Sequence, residues 1–139
     1  MRLFLDTNII IDLITGRDPF GKDAAVLFQL GKGMGHDLLV SDLSVFNTIY
    51  ILQRLHYAKE DIYDILASLL PALTITSMGD SVIGRCLQRR GVDFEDDAQY
   101  YSAMDAEADF IITRNKKDFP PDSCVVEPRE FFRMMNIVY

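Results

Sequence analysis

The sequence is short of the residues that staple or metallate small folds. Its two cysteines, Cys86 and Cys124, stand far apart without a C-x-x-C pair, and its two histidines, His36 and His56, lack zinc-ligand spacing. That pattern argues against a structural zinc site. Long hydrophobic runs are missing too, since no apolar stretch approaches the ~20 residues that span a bilayer. The opening Met1-Arg2-Leu3-Phe4-Leu5-Asp6 meets an acid where the apolar region of a signal peptide would continue. The expectation is a reduced, cytoplasmic protein with no membrane partner. Basic residues are in deficit: 14 Lys and Arg face 21 Asp and Glu, a formal charge of −7. Affinity for nucleic acid therefore cannot rest mainly on bulk positive charge, because phosphate contacts need Lys or Arg. A nuclease that holds phosphate through a metal stays open. No repeat, linker or low-complexity stretch divides the 139 residues, which predicts a single domain over 1–139, long enough to bury its own core.

What is present is an alternation of short β-branched or leucine-rich runs with longer segments of helical period. Leu3 to Leu5 reads as a buried strand, and Asn8 to Ile14 as a helix stopped by Gly16. After a turn at Arg17-Asp18-Pro19-Phe20-Gly21, a helix is expected from about Lys22 to Leu30, ended by Gly31, Gly33 and Gly35. Leu38 to Val40 is the second strand. Val45, Phe46, Ile49, Leu52 and Leu55 then recur at helical spacing behind the capping candidates Ser41 and Asp42. Ile62, Ile65, Leu66 and Leu69 form the apolar face of another helix ending near Pro71, and Leu73 to Thr76 the third strand. Val82, Ile83, Cys86 and Leu87 define a helix closed by Gly91, and Asp93 to Asp96 opens one that runs through Met104. Strands at Phe110 to Thr113 and Cys124 to Val126 and a helix from Glu127 to Met135 complete the chain. Strands separated by helices predict an α/β domain with a largely parallel sheet of four to five strands covered on both faces. Ligand sites in such sheets lie beyond the carboxyl ends of the strands.

Three segments bring polar oxygens to that rim. Asp6 follows the first strand, Asp96 lies in the first turn of a later helix, and Asn115 and Asp118 follow the fourth strand. Each has a local explanation, since Asp6 and Asp93 are natural N-caps and polar strand exits are common. Together they suggest more. Gathered carboxylates repel unless one stays protonated or a cation joins them, and hard oxygen ligands suit magnesium or manganese.

Leu5-Asp6-Thr7-Asn8-Ile9-Ile10-Ile11-Asp12, Asp93-Phe94-Glu95-Asp96, and Asp109-Phe110-Ile111-Ile112-Thr113-Arg114-Asn115-Lys116-Lys117-Asp118-Phe119 resemble the motifs of the PIN domain, the nuclease fold of VapC-type toxins. The likeness extends over essentially the whole chain. It implies a three-layer α/β/α sandwich, and four acidic positions around one or two divalent ions that serve RNA cleavage. It carries the first acid onto Asp6 and the third onto Asp96. The second position, usually Glu, falls on Asn47, and the fourth on Asn115. With Asp118 as a further ligand, these residues suit one magnesium or manganese ion at most, since magnesium is often held by one or two carboxylates and several waters. Thr7, Asn8 and Thr113 are placed to orient the acids, and Arg114, Lys116 and Lys117 to contact RNA phosphates.

Arg85, Arg89 and Arg90 read as a solvent face, Asp12 as exposed, and most tyrosines as packing residues. The apolar helix surface around Phe46, Ile49, Tyr50, Ile62 and Ile65 suggests a homodimer. The expected function is a divalent-metal-dependent endoribonuclease, the toxin of a toxin–antitoxin pair, with RNA as substrate and an antitoxin protein as partner. The alternative is a PIN-fold RNA-binding or protein-interaction module that has lost activity, with Asn47 in its favour. An aspartyl-phosphate phosphatase would want an Asp two residues after Asp6, where Asn8 stands.

Overall fold

The structure is a computed structural model that describes residues 1–31 and 34–139 in full, and residues 32 and 33 only as part of the helix running through them. Five strands, β1 (Arg2–Leu5), β2 (Asp37–Ser41), β3 (Thr74–Thr76), β4 (Phe110–Ile112) and β5 (Val125–Val126), form one sheet in the order β3-β2-β1-β4-β5. All four pairings are parallel, so each connection is a crossover carrying at least one helix or an extended loop. The helices are α1 (Thr7–Thr15), α2 (Phe20–Met34), α3 (Asp42–Arg54), α4 (Lys59–Leu69), α5 (Gly79–Arg89), α6 (Phe94–Asp105) and α7 (Pro128–Met134), with single helical turns at Leu70–Ala72 and Lys116–Asp118.

The two-residue period of the strands sorts the core into layers. Leu3, Leu5, Leu38, Val40, Ile112 and Val126 pack against α1, α2 and α7, while Phe4, Leu39, Ile111 and Val125 pack against α6. A smaller cluster of Ile11, Leu52, Ile62 and Leu66 joins α1, α3 and α4. Burying a large apolar side chain of this kind contributes ~1.5–3 kcal/mol. The result is the expected three-layer α/β sandwich.

Three local readings need correction. The second helix is longer than its glycines suggest: it continues past Gly31 and ends at Gly35, whose φ of 74° provides the left-handed cap. Gly31 lies against Leu38 at a separation that leaves no room for a Cβ, so it serves close packing of α2 on β2. Gly33, also expected to end this helix, lies outside the fully described residues. In α3 the buried positions are Ser44, Thr48 and Leu52, whereas Phe46 is 71% exposed and Leu55 is exposed as well. The helix turns its hydroxyl-bearing side inward, under the site. In α5, Val82 and Cys86 are buried while Ile83 and Leu87 face outward, and Arg90 rather than Gly91 takes the left-handed cap with φ 50°.

Candidate active site

The strand order reverses direction from β1, with β2 on one side and β4 on the other, and the crevice beyond these carboxyl ends is the expected ligand position. Asp6 stands there as the residue after β1 and the N-cap of α1, its Oδ1 accepting from the Thr7 amide at 2.8 Å. From the end of β4, the Thr113 hydroxyl donates to Asp6 Oδ2 at 2.7 Å, and Asn8 Nδ2 donates to the same oxygen at 3.2 Å. Asp6 is thus held from both neighbouring segments in one orientation.

Asp96 arrives from the other layer. Asp93 caps α6 by accepting from the Asp96 amide at 3.0 Å, which aims the Asp96 side chain along the first turn. Asn115 Nδ2 donates to Asp96 Oδ2 at 2.8 Å, while the Asn115 amide donates to Thr113 Oγ1 at 2.9 Å. Thr113 and Asn115 therefore couple the two acids. Asp6, Asp96, Asn8, Asn47 and Asn115 line one cavity of about 310 Å³.

Both acids sit uneasily as carboxylates. Burial pushes the Asp6 carboxyl above the ordinary range against the Thr113 and Thr7 hydrogen bonds, and the charges of Glu95 and Asp93 add to the rise. Asp96 is pushed up to about 7, first by burial and then by the charges of Asp6 and Asp93. The two oxygen donors share a concave space and resist ionisation there, which is the behaviour of a site that suits a hard divalent cation. Among the described residues no group of three or more His, Cys, Asp or Glu side chains is arranged to hold an ion. A cation in this cavity would therefore draw on two carboxylates, amide oxygens and water.

The remaining expected residues are distributed as follows. Asn47 lines the cavity, with its Nδ2 3.5 Å from Glu95 Oε1. Thr7 turns its hydroxyl away from Asp6 to Ser44 Oγ, 2.7 Å distant. Asp118 ends the helical turn after Asn115 and acts on Asp96 through its charge. Lys116 pairs with Glu130 at 2.9 Å, and Lys117 is exposed. Arg114 is committed to Asp12, with Nε to Oδ2 at 2.6 Å and Nη2 to Oδ1 at 3.1 Å. Asp12 itself, expected on the surface, is buried at 1% exposure. The burial follows from the guanidinium groups that close over it.

Sequence reasoning passed over Gln99, Ser44, Glu95 and Arg17. Gln99 is buried in the cavity wall, donates from Nε2 to Ser44 Oγ at 2.8 Å, and leaves its Oε1 without a protein partner. Its position three residues after Asp96 puts both on one helix face, which is the signal that would have found it. Glu95 and Arg17 also line the cavity.

Solved structures of other proteins share this fold. Ribonuclease VapC1 of Aquifex aeolicus (strain VF5) is 24% identical over 140 residues, covering 97% of this chain and 96% of the relative. A toxin–antitoxin complex from Klebsiella pneumoniae contains a chain that superposes with a TM-score of 0.67 at 21% identity, covering 91% of this chain and 97% of the other. VapC20 of Mycobacterium tuberculosis, described as a Sarcin-Ricin loop cleaving toxin, superposes with a TM-score of 0.62 at 13% identity over 78% and 86% of the two chains. The PIN domain family model matches residues 2–117. That span takes in every residue from Asp6 to Asn115 that lines the cavity, and the chain belongs to the PIN domain family.

Proposed function

We propose that this chain is a divalent-metal-dependent endoribonuclease of the VapC type. The observation that carries the reading is the meeting of Asp6 and Asp96, from opposite layers, in one cavity where burial, joined by the charges of neighbouring acids, raises both carboxyls. Asp6 and Asp96 would hold one magnesium or manganese ion, with the amide oxygens of Asn47 and Asn115 beside it and Asp118 nearby. Such an ion supplies positive charge that polarises a phosphodiester and brings the acidity of water near neutrality. Thr113 and Asn8 keep Asp6 in place, Asn115 keeps Asp96 in place, and Thr7 acts through Ser44 on the floor of the cavity. Glu95, beside Asn47, offers a carboxylate close to the position where family members usually carry Glu.

RNA is the proposed substrate, in keeping with the ribonuclease named among the relatives. Among the described residues Lys117 is the cation of the β4 exit without an ion pair, while Arg114 and Lys116 would have to leave their partners to reach RNA. An antitoxin protein is the proposed partner, because similar folds occur in toxin–antitoxin complexes. A cytoplasmic setting and a homodimer belong to the same reading. Among the described residues no helix is long and apolar enough to cross a membrane.

The test is cleavage of RNA in manganese by wild type, Asp6→Asn and Asp96→Asn. Each substitution is expected to slow cleavage by roughly 100-fold or more, beyond the usual cost of losing an orienting partner. Activity untouched by both would overturn the assignment. The inactive-module reading draws on Asn47, and persistent inactivity of Asn47→Glu with intact RNA binding would favour it.

A further inference from the structure

Asp12 lies on α1 beyond the cavity and carries two cations. Arg114 takes both its oxygens, stacks 3.8 Å above the Phe20 ring, and is 26% exposed. Arg17 adds one contact, from Nε to Oδ1 at 2.7 Å, and its side chain is 50% exposed. One buried negative charge is therefore faced by two positive ones. The bidentate Arg114 already satisfies the carboxylate, so Arg17 leaves a net positive charge at the wall of the cavity that also holds Asp6, Asp96 and Glu95.

The Arg17 guanidinium has further donors to offer. Its contact to Asp12 runs through Nε, and neither Nη group has an acceptor among the described residues. The backbone beneath it is held in a built turn. Gly16 ends α1 in the left-handed region at φ 64°, and the Gly21 amide donates to the Arg17 carbonyl at 2.7 Å. A Cβ at Gly21 would stand 2.5 Å from the Gly16 carbonyl carbon, so glycine is what permits the turn to close. A fixed arginine with a free planar edge, next to paired acids in a chain of net charge −7, is suited to a phosphate group.

We infer that Arg17 is the phosphate-contacting residue of this cavity: its free Nη groups take a phosphodiester of single-stranded RNA flanking the one that is cut, while Asp12 anchors its Nε. The inference rests on the ribonuclease reading and refines it by naming the cation that receives the RNA backbone. It moves that role from Arg114, whose donors are taken, to a residue on the turn after α1.

The test is the salt dependence of binding of a labelled single-stranded RNA in manganese, with Asp6→Asn as the non-cleaving parent. Adding Arg17→Ala should weaken binding at 0.1 M salt by about 5-fold or more and make the slope of log K against log salt shallower by ~0.7, the value of one single-strand phosphate contact. Arg17→Lys should keep the slope, because it keeps the charge. In cleavage by otherwise wild-type protein, Arg17→Ala should raise KM more than it lowers kcat. If the parent binds RNA and neither the slope nor KM responds to Arg17→Ala, this inference falls and the ribonuclease reading stands. If wild type neither cleaves nor binds RNA, both fall. Should Arg17→Ala fail to fold, Arg17→Gln is read in its place, and an unchanged slope and KM overturn the inference in the same way.

Discussion

Asp96 is a residue whose ionisation this fold resists. Its carboxyl is raised from the ordinary 3.8 to about 7 by burial and by the charges of Asp6 and Asp93. The folded chain keeps a proton that the unfolded chain releases near pH 4, so this group favours folding fully below about pH 4. The contribution is lost as pH rises through about 7. Asp96→Asn carries no charge at either pH, and it should raise the melting temperature of metal-free protein at pH 8 more than at pH 5. About 1 kcal/mol corresponds to ~3–5 °C in a domain of this size. Calorimetry in chelator at the two pH values checks the difference, and an equal gain at both would contradict the assignment. Asn47→Glu should act in the opposite sense. It adds an acid beside Glu95, lowering stability without metal and raising manganese affinity about 10-fold or more, as read by titration of the manganese resonance.

At the scale of elements, the site depends on how helices begin and end. Ser41 caps α3 by accepting from the Ser44 amide at 3.0 Å, and its hydroxyl also reaches Ser44 Oγ, which Thr7 and Gln99 share. Ser41→Ala should cost about 1–2 kcal/mol by denaturant titration, at the upper part of the range for a lost cap because a buried hydroxyl network loses a member with it. Gly16→Ala should cost about 1 kcal/mol for a left-handed residue with a Cβ. Gly21→Ala should cost more, because its Cβ meets backbone rather than a flexible side-chain end. The helix starts at Asp6, Ser41 and Asp93 were legible in the sequence because capping is local chemistry. The side of α3 that turns inward was not, since Val45, Phe46 and Ile49 outnumber the hydroxyl residues that the site floor requires.

At the scale of the whole molecule, large apolar side chains stand exposed. Phe46 and Tyr50 on α3 are 71% and 59% exposed, and Ile83, Leu87, Val92 and Phe94 around α5 and the start of α6 are exposed as well. Phe46 and Tyr50, four residues apart, share one face of α3, and an exposed apolar helix face suits a contact surface. The chain is expected to sediment as a dimer at micromolar concentration, and Phe46→Lys to shift it toward monomer while leaving its melting temperature nearly unchanged. A wild-type protein that sediments as a monomer at every concentration would remove the homodimer from the proposed function.

The order of the elements, the parallel sheet and the standing of Asp6, Asp96 and Asn115 at one rim follow from the sequence by itself. Hydrophobic period, strand length and cap residues are short-range signals, and a parallel sheet leaves few ways to arrange them. Distances between segments are another matter. Only the tertiary structure decided that Asp12 is buried beneath two arginines, that Arg114 is occupied while Arg17 keeps free donors, and that Glu95 shares the cavity with the acids. These outcomes depend on which charges meet when remote segments pack together, and burial changes the energy of a charge only after its neighbours are in place.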